Sequence, residues 1–337
     1  MKLKLIPDYN REIDTIFLVS PLDLRDTCWN EFTKFLQIII EIIIKKNKEQ
    51  KVVICCREKI YNKTKDLIFK IPYFSKLKNN EQIINFINVE ILDIWIRDYF
   101  SCANIDLENK VGVLKAIYAP NYNTLASTDN EAGQYLAQHY FDKVLNIPFK
   151  LDGGNVISNS EYIFITESLY TENSNIEKKQ INKFFEETFE QKLITLPVES
   201  LDVIGHTDSI LRFLDDKTIL LPIYDKKYKD DNRYINNITK ILSEKLGLEY
   251  KFIFLPSYLD DKINEDNIYS AKGLFLNYFR FEDHIIFPCF EDLGDYQNKI
   301  IDIINKEAPN IKIHFTPCDE IAFLGGALHC ISNLKYK

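Results

Sequence analysis

Short apolar runs alternate with longer amphipathic stretches along the whole chain. Thr15-Ile16-Phe17-Leu18-Val19 stops at Ser20-Pro21, as a buried strand does where it gives way to a loop. Residues 25–46 then predict a helix, and 51–56 the next strand. The alternation continues with a helix at 58–69, strands at 88–94 and 111–118, and a helix at 129–145 closed by Pro148. A strand at 162–165, a helix at 172–189 and a strand at 193–196 follow, then short strands at 209–213 and 218–221. A helix at 233–245 ends near Gly247, where a C-cap glycine is expected. Strands at 251–255, 274–279 and 284–287, a helix at 293–306 and a strand at 312–315 complete the pattern. These strand-and-helix units recur roughly every fifty to seventy residues, with no linker or low-complexity tract between them. One α/β domain over residues 1–337, built from similar units around a central site, is the expected organisation.

Four stretches near strand-to-loop junctions carry the chemistry: Trp95-Ile96-Arg97-Asp98, Leu151-Asp152-Gly153-Gly154-Asn155, Gly205-His206-Thr207-Asp208 and Gly325-Gly326-Ala327-Leu328-His329-Cys330. Such junctions are where α/β proteins mount reactive groups. If the backbone of the third stretch is extended, His206 and Asp208 point to one face. There an imidazole moves protons near neutral pH while a carboxylate holds a cation. Taken alone, that stretch reads more readily as a capped turn around a satisfied core histidine, and the other three stretches shift the balance. Cys330 is the natural nucleophile, since thiolate is the strongest among side chains once a histidine or a cationic substrate favours it. Cys55, Cys56, Cys102 and Cys289 read as buried small hydrophobes. His329 has a structural role in this reading, because a strand would turn it away from the face of Cys330.

Three carboxylates crowding a thiol would raise its pKa and repel an oxyanion, which suits the hydrolysis of a neutral peptide bond poorly. They suit a guanidinium, which is planar, always protonated and matched by carboxylates that accept paired hydrogen bonds. Its central carbon is open to attack by sulfur.

Composition narrows the partners. A formal net charge of −8 argues against a nucleic-acid binder and favours a small cation. With 46% hydrophobic residues in 337 there is material for a sizeable core. The apolar run at 35–44 contains Gln37 and Glu41 and is far shorter than the ~20 residues that cross a bilayer, so no membrane partner is expected. The first residues are broken by charge before any signal-peptide core, and seven scattered cysteines show no paired spacing. A cytoplasmic protein with reduced thiols, no disulfide framework, no metal and no cofactor is the expectation.

Together, WIRD, LDGGN, GHTD and GGALHC, in this order and spread over nearly the whole chain, resemble the agmatine deiminase and bacterial-type peptidylarginine deiminase family of the guanidine-modifying, or pentein, superfamily. That resemblance implies a five-bladed α/β propeller. It also implies Cys330 as nucleophile, His206 as general acid/base and Asp152 as the acid that orients the histidine. Asp98 and Asp208 then bind the guanidinium, and Trp95 lines the pocket. Asn155 and Arg212 are further candidates for substrate contact, Arg212 through the α-carboxylate of free arginine. The chain departs from the family pattern in having Asp152 where Glu is usual, Leu324-Gly325-Gly326-Ala327 before the terminal motif, and Ser20-Pro21 where a Trp-Pro pair is usual. Asp152, one methylene shorter, is expected to reach His206 through a shifted backbone or a water. The implied activity is hydrolytic deimination of agmatine to N-carbamoylputrescine and ammonia through a covalent thiouronium on cysteine, by a possible homo-oligomer. Deimination of free or peptidyl arginine, a thiol acyl hydrolase, and a non-catalytic pentein scaffold are the alternatives.

Overall fold

The computed structural model describes residues 2–9, 11–46, 49–76, 83–108, 110–121, 123, 126–199, 202 and 204–337. In it the apolar runs become the central strands of five separate sheets. Their side chains leave water almost completely: Ile16, Phe17 and Leu18 in one sheet, Ile219, Leu220 and Leu221 in another, and Ile285, Ile286 and Phe287 in a third. Runs of this kind need cover on both faces, which is why each is followed by a helix whose apolar stripe packs back on it. The helix Trp29–Lys46 does so with Phe32, Phe35, Leu36, Ile39, Ile40, Ile42 and Ile43.

Each sheet repeats one plan. A first strand pairs antiparallel with a second, a helix crosses over, and a third strand pairs parallel with the second. Ala103–Asp106, Val111–Ile117 and Val144–Lys150 form one such set, with the helix Ala126–Tyr140 as its crossover. Ile157–Ser158, Tyr162–Thr166 and Lys192–Leu196 form another. Arg212–Asp215, Thr218–Ile223 and Lys251–Pro256 form a third, and Phe279–Phe281, His284–Cys289 and Lys312–Pro317 a fourth. In the fifth, Ile13–Val19 and Lys51–Cys56 lack a preceding first strand, and the last strand of the chain, Ser332–Tyr336, supplies it by pairing antiparallel with Ile13–Val19. The two ends of the sequence therefore close one unit together. Five sheets among the described residues are consistent with the five-bladed propeller that the resemblance implies.

Several boundaries differ from the sequence reading, with local reasons. The strand expected at 88–94 lies earlier, at Ile84–Asn88. Residues 89–95 form a loop held by Asp129, whose Oδ1 accepts the Leu92 N–H at 2.7 Å. The helix expected to reach 145 ends at Tyr140, and Val144–Lys150 is a strand that contains Pro148. Proline is tolerated there because the strand is the outermost of its sheet. The helix expected at 172–189 begins only at Lys178 and ends at Thr188, and a separate short helix, Ser168–Glu172, precedes it. Gly247 follows Leu246 in extended backbone and does not adopt the left-handed cap conformation. Among the described residues no helix is long and apolar enough to cross a membrane.

Candidate active site

The turn that precedes the first strand of a unit is where this fold presents its polar side chains, and all five units use it. Residues 95–99 precede Ala103–Asp106, 152–155 precede Ile157–Ser158, 206–209 precede Arg212–Asp215, 274–277 precede Phe279–Phe281, and 327–331 precede Ser332–Tyr336.

Asp98 sits on the single helical turn Ile96–Tyr99, which is stitched to the last motif of the chain. The Arg97 N–H donates to the Cys330 carbonyl at 3.1 Å, and Asn333 Nδ2 donates to the carbonyls of Ile96 and Ser101 at 3.3 Å. The Asp152 turn packs against the same helical turn. Gly154 donates its N–H to Asp98 Oδ1 at 2.9 Å, and a Cβ there would lie 2.7 Å from His206 Nδ1 and 2.8 Å from Asp98 Oδ1. No side chain fits where three site residues converge on the backbone.

His206 is extended and begins the turn Thr207–Ser209. Its Nε2 lies 3.1 Å from Asp152 Oδ2, and its Nδ1 faces Asp98 Oδ1 at 3.7 Å. Asp152 thus reaches the ring directly, with no bridging water needed. His206 and Asp208 do converge, but through this turn and not through alternation along a strand.

Asp208 is almost completely buried and accepts from Asn277 Nδ2 at 3.3 Å and His329 Nδ1 at 2.6 Å. Cys330 Sγ lies 3.2 Å from Asn277 Nδ2 and 4.0 Å from Asp208 Oδ2. These groups form one end of a cavity of about 610 Å³ whose wall includes Trp95, Asp98, His206, Asp208, Asn277 and Cys330. The half-buried Trp95 ring lies flat against the last motif, where a Cβ on Gly326 would come within 2.6 Å of it.

Charge is unbalanced here. Burial acts most strongly on His206 and disfavours its cation, yet Asp98 and Asp152 outweigh it and raise the imidazole to about 10. Burial, with Asp152 and Asp208, pushes Asp98 up to about 7 against the pull of His206. Burial, then Asp208 and Asp98, pushes the Cys330 thiol well above its ordinary value. At neutral pH the cavity wall by itself holds a thiol and an imidazolium. Burial, together with Arg212 and Arg97, keeps His329 neutral, so its one ring proton sits on Nδ1 and is donated to Asp208.

Two sequence candidates do not reach this cavity. The guanidinium of Arg212 is fully buried against Asp8, donates to the carbonyls of Leu276 and Tyr278 at 3.4 and 3.1 Å, and stacks on the Tyr278 ring. A cation that deep persists only when paired, and its partners are internal. Asn155 ties two turns together, accepting from Thr166 N and Thr207 Oγ1 at 2.9 Å and donating to Ser168 Oγ at 2.8 Å. Both are framework residues.

One site residue was missed and another was placed on the wrong kind of backbone. Asn277 lies in a turn where a strand was expected at 274–279, and His329 contacts Asp208 because its motif is a turn and alternation does not apply. The signal for Asn277 was a polar residue interrupting Leu274-Phe275-Leu276-Asn277-Tyr278-Phe279. Among the described residues no group of three or more His, Cys, Asp or Glu side chains is arranged to hold a metal ion.

Solved structures with the same fold include the agmatine deiminase of C. jejuni, with a TM-score of 0.79 and 21% identity over 100% of this chain and 97% of that one. The agmatine deiminase of Enterococcus faecalis gives 0.79 at 14% identity over 99% and 96%. DDAH from Pseudomonas aeruginosa, solved with citrulline, is more distant at 0.54 and 11% identity over 96% and 100%. At these identities the likeness establishes the α/β pentein fold. The family model for Porphyromonas-type peptidyl-arginine deiminases matches residues 9–334, and the chain belongs to that family.

Proposed function

We propose that this protein deiminates a small guanidino compound, with agmatine as its substrate. The observation that carries the reading is a single cavity wall on which Asp208 lies 4.0 Å from the buried Cys330 thiol and Asp98 faces a histidine oriented by Asp152. Asp98, Asp152 and Asp208 outnumber the nearby cations His206 and Arg97 and leave a net negative hollow that a planar cation completes.

The chemistry follows from the charges. A guanidinium held between Asp98 and Asp208 brings positive charge next to Sγ, reversing the local field that keeps the thiol protonated. The thiol releases its proton to solvent, and the thiolate attacks the guanidinium carbon to give a tetrahedral centre. Imidazolium His206 delivers its proton to the departing nitrogen, which leaves as ammonia. The carbon remains bonded to Cys330 as an S-alkylthiouronium, still cationic and still held by the two acids. Neutral His206 then takes a proton from water, hydroxide adds to the carbon, and the thiolate departs while the hydroxyl proton is lost through solvent to the sulfur, leaving the neutral ureido product and the thiol.

The cavity favours agmatine over free arginine. Its wall adds Glu199, Asp202, Asp231, Asp260 and Asp261. Burial, Asp231 and Asp202 raise Glu199 to about 7, so these acids crowd one another and gain from a nearby ammonium. Of the two lysines on the wall, Lys272 is engaged by Asp292 at 2.6 Å and Asp319 at 3.3 Å and Lys227 lies over the Tyr228 ring, while Arg212 is buried away from the cavity. A second cation is better accommodated than an α-carboxylate.

The test is a panel of agmatine, free arginine, Nα-blocked arginine and arginyl peptides, scored for ureido product and ammonia. Agmatine is expected to give the highest kcat/KM. Preference for blocked arginine or peptides would move the substrate to peptidyl arginine, and turnover of none would overturn the deiminase reading.

A further inference from the structure

Four of the five units present a residue that the motif comparison assigns, and the unit that begins at Phe279 presents Asn277 at the corresponding turn. Asn277 is almost completely buried, and its amide orientation is settled by its neighbours. Oδ1 accepts the backbone N–H of His329 at 3.0 Å and of Cys330 at 3.3 Å, so the other end of the amide is the NH₂ group. That group lies 3.2 Å from Cys330 Sγ and 3.3 Å from Asp208 Oδ2. The Asn277 carbonyl also accepts the His329 N–H at 3.1 Å. One side chain therefore grips the turn that carries the cysteine and aims two N–H bonds at the sulfur and at the carboxylate beside it.

We propose that Asn277 is a catalytic residue of this site, donating an amide N–H to the Cys330 thiolate while its second N–H holds Asp208 against the sulfur. Sulfur gains negative charge when the thiol ionises and again when hydroxide displaces it from the thiouronium carbon. A donor fixed beside it favours both charged states over the neutral thiol. Asp208 alone would act in the opposite sense, and the amide bridges the two so that carboxylate and thiolate can coexist 4.0 Å apart. The effect on turnover rests on the deiminase reading, whereas the effect on thiolate formation does not.

The experiment follows alkylation of Cys330 by iodoacetamide at pH 9, quantified by peptide mass mapping, in the wild type and in Asn277→Asp. The replacement is isosteric and keeps an oxygen for the two backbone N–H groups, but it removes the donor to sulfur. Alkylation is expected to slow by about ten-fold or more, with kcat for the preferred guanidino substrate falling by about a hundred-fold. Asn277→Ser, which is smaller and uncharged, should retain more of both rates than the Asp variant, and a thermal melt checks that each variant is folded. Wild-type alkylation in a folded Asn277→Asp protein overturns the proposal, even if turnover is lost, because Asn277 would then serve the turn alone. If the wild type turns over no substrate, the deiminase reading fails while the alkylation rates still decide the role of Asn277.

Discussion

Two clusters of buried charge lie side by side in this protein, and they differ in whether the protein itself completes them. Around Arg212, one guanidinium meets Asp8, two carbonyl oxygens and the face of Tyr278. Four residues earlier in the chain, Asp208 belongs to a group with Asp98 and Asp152 in which His206 faces two of the acids directly and the buried Arg97 and Arg212 act on Asp208 as well, and that group opens on a cavity. Both clusters perturb their members, but only the second leaves charge for an outside molecule to neutralise. Buried charge alone does not mark a binding site; buried charge that is unbalanced beside open space does. Arg212 looked like a substrate contact because a charged residue near a motif cannot be distinguished, in one dimension, from a charged residue that is already paired.

The largest expected effect that tests this contrast is at the sulfur. Cys330→Ala should abolish turnover and the acid-stable thiouronium adduct, read as substrate minus ammonia on the Cys330 peptide by mass mapping after rapid acid quenching. An adduct on Cys289 or Cys318 instead would relocate the nucleophile.

Next come the unbalanced acids. Asp98→Asn and Asp208→Asn each remove a charged acceptor facing the cavity, and kcat/KM should fall by about 10²- to 10⁴-fold with folding retained. The Asp98 variant carries a second sign. The pKa of Asp98 is raised in the folded state, to about 7, so its contribution to stability is complete below the ordinary carboxylate value and is lost as pH rises through about 7. At pH 8 the Asp98→Asn protein should therefore melt at a higher temperature than the wild type while being nearly inactive. A lower melting temperature would mean that Asp98 is balanced after all.

The closed cluster should behave in the reverse way. Arg212→Met leaves Asp8 without its cation and should cost about 3–5 kcal/mol in denaturant unfolding. In whatever fraction folds, the ratio of kcat/KM for agmatine to that for arginine should stay within about three-fold of the wild type, because such small changes correspond to less than a typical hydrogen bond. A selective loss of arginine turnover would restore Arg212 to the site.

The smallest effect is in pH dependence. Asp98 loses its charge below about 7, so KM for the guanidino substrate should rise as pH falls through that value, approaching ten-fold per unit. A KM flat from pH 8 to pH 5.5 would assign the guanidinium to other acceptors.

What the sequence by itself determined is a matter of short range. Alternating apolar runs and amphipathic stretches dictated the strands and helices, since burial of Ile219-Leu220-Leu221 or of the stripe from Phe32 to Ile43 depends on neighbours a few residues away. The side chains that meet at the candidate site, Asp98, Asp152, His206, Asp208 and Cys330, were legible too, because four motifs bracket them in order. The tertiary structure alone decided which charges cancel and which side chains fill the gaps between motifs. Asn277 meets Cys330 across 53 residues, His329 meets Asp208 across 121 and Arg212 meets Asp8 across 204. None of these pairings has a period or a spacing, for they arise when five separately folded turns are brought to one centre and the last strand closes onto the first unit. The balance of buried charge depends on distance in space, which the linear order of residues does not contain.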